Sequence, residues 1–270
     1  MEELKLVKSN GKKSIVTVDN VKIGDGFTII AGPCSVENEQ QISESALAVK
    51  EAGANILRGG AYKPRSSPYS FQGLGKDGLI LLSNAGKLAD MPVITEVVDT
   101  RDIELVCQYA DIIQIGARNM QNYSLLTEVG KTGKPVMLKR GFYATVNEWL
   151  NSAEYILNEG NQNVILCERG IRTFETLTRN TLDLSSVALM RGLTHLPIIV
   201  DPSHATGRAD LIEPMSLSAI LSGCDGLMIE VHPTPNEALS DTEQAISTDD
   251  FIKLMGKIEK TIEFKKTIEN

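Results

Sequence analysis

Eight short apolar runs, rich in β-branched residues, recur along this chain at 28–31, 54–57, 91–96, 111–115, 135–138, 164–167, 197–200 and 226–231, and they start about 28 residues apart. Most of the gaps carry a helix-like polar/apolar pattern, as at 40–52, 102–109, 146–158 and 247–262. A strand that is apolar on both faces needs cover on both faces, and helical crossovers supply it. The pattern is therefore a parallel sheet clothed in helices. Eight such units in 270 residues predict an α/β protein built on a single closed (β/α)8 TIM barrel. An open doubly wound sheet is the competing architecture. It calls for a G-x-G-x-x-G turn after the first strand, and Ala31-Gly32-Pro33-Cys34 is not one.

The segment ahead of the first run reads differently. Residues 14–18 alternate, Asp19-Asn20 is a turn signal, and 21–23 continue as a second short strand, which makes a β-hairpin. The expected division is thus 1–26, an extension with a hairpin that caps the barrel bottom or joins a subunit contact, and 27–270, the barrel. The stretch 62–78, rich in Pro, Ser and Gly, is a long loop of the kind that carries function inside a compact domain. The N-terminal residues have no apolar signal core, and no window approaches the roughly 18 apolar residues of a membrane span, so a cytoplasmic protein without membrane contact is expected. With 27 basic against 35 acidic residues the net charge is −8, the wrong sign for a nucleic-acid binder. Cys34, Cys107, Cys167 and Cys224 lie far apart with no C-x-x-C pair, which argues against a disulfide framework or a zinc finger.

In such a barrel the chemistry sits at the C-terminal strand ends. Those ends carry Cys34, Arg58 with Lys63, Glu96, Arg118, Lys139, Arg169, His204, and Glu230 with His232. Counting Arg65 and Arg172, seven basic residues gather on one rim of an acidic protein. Buried cations need anions opposite them, so the rim predicts a small ligand carrying phosphate and carboxylate groups. Alternation supports this: Gln114, Gly116 and Arg118 share a parity, as do Met137 and Lys139, Cys167 and Arg169, and Met228, Glu230 and His232. A second constellation, Cys34, His204, Glu230 and Asp241, has the mixed thiolate, imidazole and carboxylate chemistry of a divalent transition-metal site. Each member also has an ordinary reading: a small buried Cys34, a hydrogen-bonded His204, an Asp241 that caps a helix. Cys107, Cys224 and His195 read as structural.

Seven motifs then appear in order: Ala31-Gly32-Pro33-Cys34-Ser35, Leu57-Arg58-Gly59-Gly60, Lys63-Pro64-Arg65-Ser66-Ser67-Pro68, Ile115-Gly116-Ala117-Arg118-Asn119, Met137-Leu138-Lys139-Arg140-Gly141, Cys167-Glu168-Arg169-Gly170 and Asp201-Pro202-Ser203-His204. Together, from about 27 to 264, they resemble the 3-deoxy-D-arabino-heptulosonate 7-phosphate (DAHP) synthase family in its shorter β-type form. That resemblance implies condensation of phosphoenolpyruvate (PEP) with erythrose 4-phosphate on a divalent metal (Mn, Fe, Co, Zn or similar), the first step of the shikimate pathway, in a homo-oligomer, dimer or tetramer. It implies Cys34, His204, Glu230 and Asp241 as metal ligands and Arg58, Lys63, Ala117, Arg118, Lys139 and Arg169 as the PEP site. It assigns Arg65 and Ser66 to the aldose phosphate, and Lys63, Glu96 and His204 to the chemistry. Ser66 departs from the family's usual Thr but keeps a hydroxyl.

Three rivals are weaker. The sister enzyme making 3-deoxy-D-manno-octulosonate 8-phosphate (KDO8P) from arabinose 5-phosphate carries an Ala-Asn pattern between the Lys and the Arg, where this chain has Pro64. A non-catalytic phosphosugar-binding barrel would lack at least one of the four ligands. A metal-dependent aldolase without PEP leaves the PEP-site cations unexplained. Relatives of this type often bear an N-terminal domain that senses aromatic end products. About 26 residues are too few for such a core, so phenylalanine, tyrosine and tryptophan are expected not to inhibit, and chorismate and prephenate not to act through an appended domain.

Overall fold

The computed structural model describes residues 4–8, 11–64 and 67–269. An antiparallel hairpin of β1 (Val16–Val18) and β2 (Val21–Ile23) turns at Asp19, whose φ of 49° lies in the left-handed region that Asp tolerates. The barrel then begins with β3 (Thr28–Gly32), α1 (Glu39–Glu51), β4 (Ile56–Arg58), α2 (Lys76–Ala89) and β5 (Val93–Val97). It continues through α3 (Ile103–Tyr109), β6 (Ile112–Ile115), α4 (Tyr123–Lys131), β7 (Val136–Lys139), α5 (Val146–Asn158) and β8 (Val164–Glu168). The last part is α6 (Leu184–Leu193), β9 (Ile198–Val200), α7 (Pro202–Thr206), α8 (Ile212–Ser222), β10 (Gly226–Glu230) and α9 (Thr248–Glu269). The eight strands β3 to β10 are parallel, pair in chain order, and close where β10 meets β3, with Glu230 opposite Gly32. The expected barrel and hairpin are both present, and all eight apolar runs are strands.

Two differences at element ends have simple causes. β4 and β7 extend one residue further than their apolar runs, to Arg58 and Lys139, because the ladder needs only their backbones while the side chains enter the barrel. α9 continues to Glu269, past the expected end at 262, since 263–269 contain no Gly or Pro to stop it. No helix among the described residues is long and apolar enough to cross a membrane.

The pleat sorts the apolar residues into two cores. Outward-facing residues such as Leu57, Val97, Ile115 and Val200 pack against the helices. Inward-facing Ile30, Ile56, Ile94, Ile112, Met137, Ile165, Ile199 and Met228, one from each strand, meet on the barrel axis. Val16, Val18 and Ile23 of the hairpin join that inner cluster, so the hairpin plugs the barrel bottom as expected. His195 is structural: its Nδ1 lies 2.7 Å from the Ser14 hydroxyl and its Nε2 2.8 Å from the Leu6 carbonyl, which ties down the chain leading into the hairpin.

Ile23 is fully buried among the inner residues, so Ile23→Ala is expected to cost about 2–5 kcal/mol through lost transfer energy plus a cavity. Urea unfolding measures this, and a loss below about 0.5 kcal/mol would show that the hairpin does not plug the barrel.

Candidate active site

The side-chain period of two that builds the inner apolar ring also builds the site. Two residues beyond that ring, inward-facing positions turn polar: Ile56 leads to Arg58, Ile94 to Glu96, Ile112 to Gln114, Met137 to Lys139, Ile199 to Asp201 and Met228 to Glu230. Cys167 leads to Arg169, and Ile30 leads through Gly32 to Cys34. Gly32 is required there, because its φ is +146° and a Cβ would lie 2.2 Å from the Arg58 carbonyl oxygen.

Cys34, His204, Glu230 and Asp241 come together with their donor atoms all within 4.8 Å of one another. Cys34 Sγ lies 2.8 Å from Asp241 Oδ2, and His204 Nε2 lies 3.0 Å from Glu230 Oε1. Asp241 sits in a turn with φ +54° rather than at a helix start, a backbone held in the left-handed region that few non-glycine residues visit. Asp201 sets the imidazole. One carboxylate oxygen accepts the His204 backbone N–H at 2.9 Å, and the other lies 2.7 Å from Nδ1, leaving Nε2 aimed at Glu230. A carboxylate behind a histidine is the usual support of a metal-binding imidazole. Glu230 is held from several sides: Arg58 Nη1 donates to it at 2.7 Å, Gln244 Nε2 at 2.5 Å, and its backbone N–H donates to the Ser203 hydroxyl at 3.0 Å. Lys63 Nζ donates to Cys34 Sγ at 2.8 Å.

The charges fit a cation. Burial, reinforced by Glu230, pushes the Cys34 thiol up to about 12, although Lys63 pulls the other way. Burial also works against the Glu230 carboxylate, but His204, Arg58 and Lys63 hold it well below the usual range. Asp201 is held far below that range too, by His204 and Lys139 against burial. Two carboxylates, one imidazole and one thiol, of mixed softness and crowded within 4.8 Å, suit a divalent transition ion.

The anion half lies beside it. Arg169, Arg118 and Arg172 place their guanidinium carbons 4.6, 5.5 and 5.5 Å from the centre of the Phe142 ring. Arg169 is 3% exposed, its Nη1 has no hydrogen-bond partner among the described residues, and burial lowers its proton affinity to about 10. A buried cation left open in this way is a socket for an anion. Lys139 Nζ donates to Asp201 Oδ2 at 2.6 Å, so Asp201 touches both halves. Glu96 is braced by Gln114 Nε2 at 3.2 Å, and Gly116 gives it room, since a Cβ there would lie 2.1 Å from its carboxylate.

One cavity at the barrel mouth is lined by Cys34, Arg58, Lys63, Glu96, Ala117, Arg118, Lys139, Arg169, His204 and Asp241, with Glu230 buried just behind. Arg65 and Ser66 lie outside the described residues. Two expectations need correction. Arg172 is exposed and donates to the Tyr143 hydroxyl at 2.7 Å, reaching Phe142 from outside the cavity. His232 turns away, its Nδ1 accepting the Thr234 N–H at 3.1 Å. Sequence reasoning missed Arg179, which lines the cavity and donates to Gln244 at 2.7 Å, and it missed Phe142 and the role of Asp201. Asp201 was legible, since it shares the inward parity of Ile199. Arg179 and Phe142 sit in loops that carry no periodic signal.

A closed parallel barrel with a metal-competent donor cluster beside a basic socket belongs to the enzymes that act on small phosphorylated substrates with metal assistance. The chain belongs to the DAHP synthetase I family, whose profile matches residues 8–267. It is 54% identical over 248 residues to the phospho-2-dehydro-3-deoxyheptonate aldolase of Thermotoga maritima, covering 92% of this chain and 73% of that protein. It is 31% identical to a 2-dehydro-3-deoxyphosphooctonate aldolase of Francisella tularensis, covering 83% of this chain and 88% of that one. The crystal structure of the Thermotoga maritima DAHP synthase superposes with a TM-score of 0.95 at 52% identity over 97% of this chain and 78% of that chain. A truncated form of the Thermotoga enzyme superposes with a TM-score of 0.90 at 48% identity, covering 96% of this chain and 97% of that one.

Binding a metal through Cys34 must release the thiol proton. With that thiol pushed up to about 12, the affinity for a divalent transition ion is expected to rise with pH, by up to about tenfold per unit from this group. Cys34→Ser is expected to weaken binding by about 100-fold or more. Equilibrium dialysis between pH 6 and 8 checks both, and unchanged affinity in Cys34→Ser would remove Cys34 from the ligand set.

Proposed function

We propose that this chain condenses PEP with erythrose 4-phosphate to give DAHP and phosphate, the first step of the shikimate pathway. The observation that carries this reading is the open, buried Arg169 guanidinium, ringed with Arg118 around Phe142 and set beside the Cys34/His204/Glu230/Asp241 cluster. Identity of 54% to a heptonate enzyme against 31% to an octonate enzyme favours erythrose 4-phosphate over arabinose 5-phosphate.

In this reading Cys34, His204, Glu230 and Asp241 hold a divalent ion such as Mn, Fe, Co or Zn. When bound, it supplies Lewis-acid polarisation of the aldehyde oxygen. Arg118 and Arg169 take the PEP phosphate as paired planar forks, oriented by the Phe142 face. Arg58, Lys63 and Lys139 neutralise the carboxylate, Ala117 packs beside Arg118, and Arg65 and Ser66 hold the aldose phosphate. C3 of PEP forms the new bond to the aldehyde carbon, water adds to C2, and the C2–O bond to phosphate breaks. Against its burial, contact with the Cys34 sulfur and the nearby Glu230 carboxylate raise the proton affinity of Lys63 Nζ, so it stands as a proton donor next to the donor cluster. Glu96 faces the cavity as the carboxylate that orients the water or takes its proton. His204 keeps its orientation through Asp201. The same reading places the protein in the cytoplasm as a homo-oligomer, dimer or tetramer.

Phosphate release from PEP with added divalent ion is expected with erythrose 4-phosphate, and at least about 100-fold more slowly with arabinose 5-phosphate. Arg118→Ala and Arg169→Ala are each expected to cost about 2–5 kcal/mol in kcat/KM for PEP, and Arg65→Ala to raise chiefly the KM for the aldose. No release with erythrose 4-phosphate in the metal-loaded enzyme would overturn the assignment.

A further inference from the structure

Strands β7 and β8 each end on a pair of charged residues whose side chains point to opposite faces. Lys139 and Arg169 enter the barrel, while their neighbours Arg140 and Glu168 face outward, toward the helices. The outward residues at the corresponding ends of other strands are apolar and fully buried: Val97, Ile115, Val200 and Val231. Among the described residues, this layer is ionic only behind Lys139 and Arg169. Arg140 Nη1 donates to Glu168 Oε2 and to Asp183 Oδ2, both at 2.9 Å, and to the Ser186 hydroxyl at 3.1 Å, while its Nε donates to the Ala144 carbonyl at 2.9 Å. The other Glu168 oxygen accepts the Gly170 N–H at 2.7 Å. The Glu168 side chain therefore reaches from the residue before Arg169 to the residue after it. Gly170 has φ +82°, and a Cβ there would lie 2.9 Å from Asn180 Cβ, so the turn has one path.

Burying an arginine between carboxylates costs desolvation that well-packed apolar side chains would avoid, so this network is poor value as a stabiliser of the helix layer. Its location gives it another role. Among the described residues Arg169 has no hydrogen bond at Nη1 to fix it from its far end, and its guanidinium rests on the Phe142 face. Its position in the cavity must come from its backbone, and the Glu168 carboxylate closes over that backbone.

We propose that Arg140 and Glu168 are positioning residues: an ion pair outside the barrel that sets the spacing and direction of Lys139 and Arg169 for the PEP anion. This rests on the PEP assignment above. Neither residue lines the cavity, so their influence reaches substrate only through the two inward cations. A lost bracket loosens the PEP socket and leaves the aldose subsite unaltered. A merely structural pair would lower the amount of folded enzyme and move neither KM.

The test uses metal-loaded full-length enzyme, with initial rates against each substrate and calorimetric titration of PEP, and with folding followed by thermal midpoint. Glu168→Gln keeps the shape and removes the charge. It is expected to raise the KM and the Kd for PEP about tenfold while the KM for erythrose 4-phosphate stays within twofold. Asp183→Asn, at a half-buried carboxylate on the outer side of Arg140, is expected to shift PEP about threefold in the same sense. It decides the matter if Glu168→Gln does not fold. PEP constants within twofold of wild type in the folded variant, or both substrate KM values rising together, would overturn the proposal. Wild-type enzyme that releases no phosphate from PEP would instead overturn the functional reading on which it rests.

Discussion

The side-chain alternation of eight parallel strands is the constraint from which the rest follows. Because the period is two, each strand sends every second residue to the barrel axis, and the sequence needs only to switch from apolar to polar along that series to make a plugged bottom and a reactive top. Met137 and Lys139 sit on one strand with the same orientation and opposite tasks, as do Ile199 and Asp201, and Met228 and Glu230. The inner ring is fully buried, and the hairpin seals it from below. Arg58, Glu96, Lys139 and Glu230 at the top are thereby held on strands, whose positions are set by packing, and the remaining site residues follow within a few residues of strand ends or on the loops above them.

Charge then decides what that polar layer can hold. An acidic chain gathers a set of cations at one mouth, and several of them are already answered: Arg58 by Glu230, Lys139 by Asp201 and Arg179 by Asp241. Arg169 is not answered, and burial lowers its proton affinity to about 10 for want of an anion. In the other half, burial, reinforced by Glu230, pushes the Cys34 thiol up to about 12. The two halves differ in character, one a basic pocket around Arg169 and the other a donor cluster that could hold a metal ion, and Asp201 stands between them in contact with both Lys139 and His204.

The features governed by period and pairing could be read from the chain before its structure. Eight strands, the hairpin, and the inward direction of Lys139, Arg169 and Glu230 follow from period and alternation, and the gathering of Cys34, His204, Glu230 and Asp241 follows from their placement at the ends of strands and in the loop after the last one. What escaped was set by loop geometry. His232 continues the right parity on paper, but it lies beyond its strand, where the pleat no longer dictates direction, and Arg172, grouped with the rim for its charge, sits in the loop after β8. Arg179 and Phe142 reach the cavity from irregular segments. Asp201 was visible in its motif, but a buried carboxylate among cations reads as a mere counter-ion until its second contact, with His204 Nδ1, is seen.

Anomalous diffraction from crystals soaked with Mn2+ and PEP tests the two-half site most directly. The prediction is a single ion about 2.0–2.4 Å from Cys34 Sγ, His204 Nε2 and oxygens of Glu230 and Asp241, with the PEP phosphate against Arg118 and Arg169. An ion bound elsewhere, or a PEP phosphate that leaves the Arg169 guanidinium untouched, would contradict it.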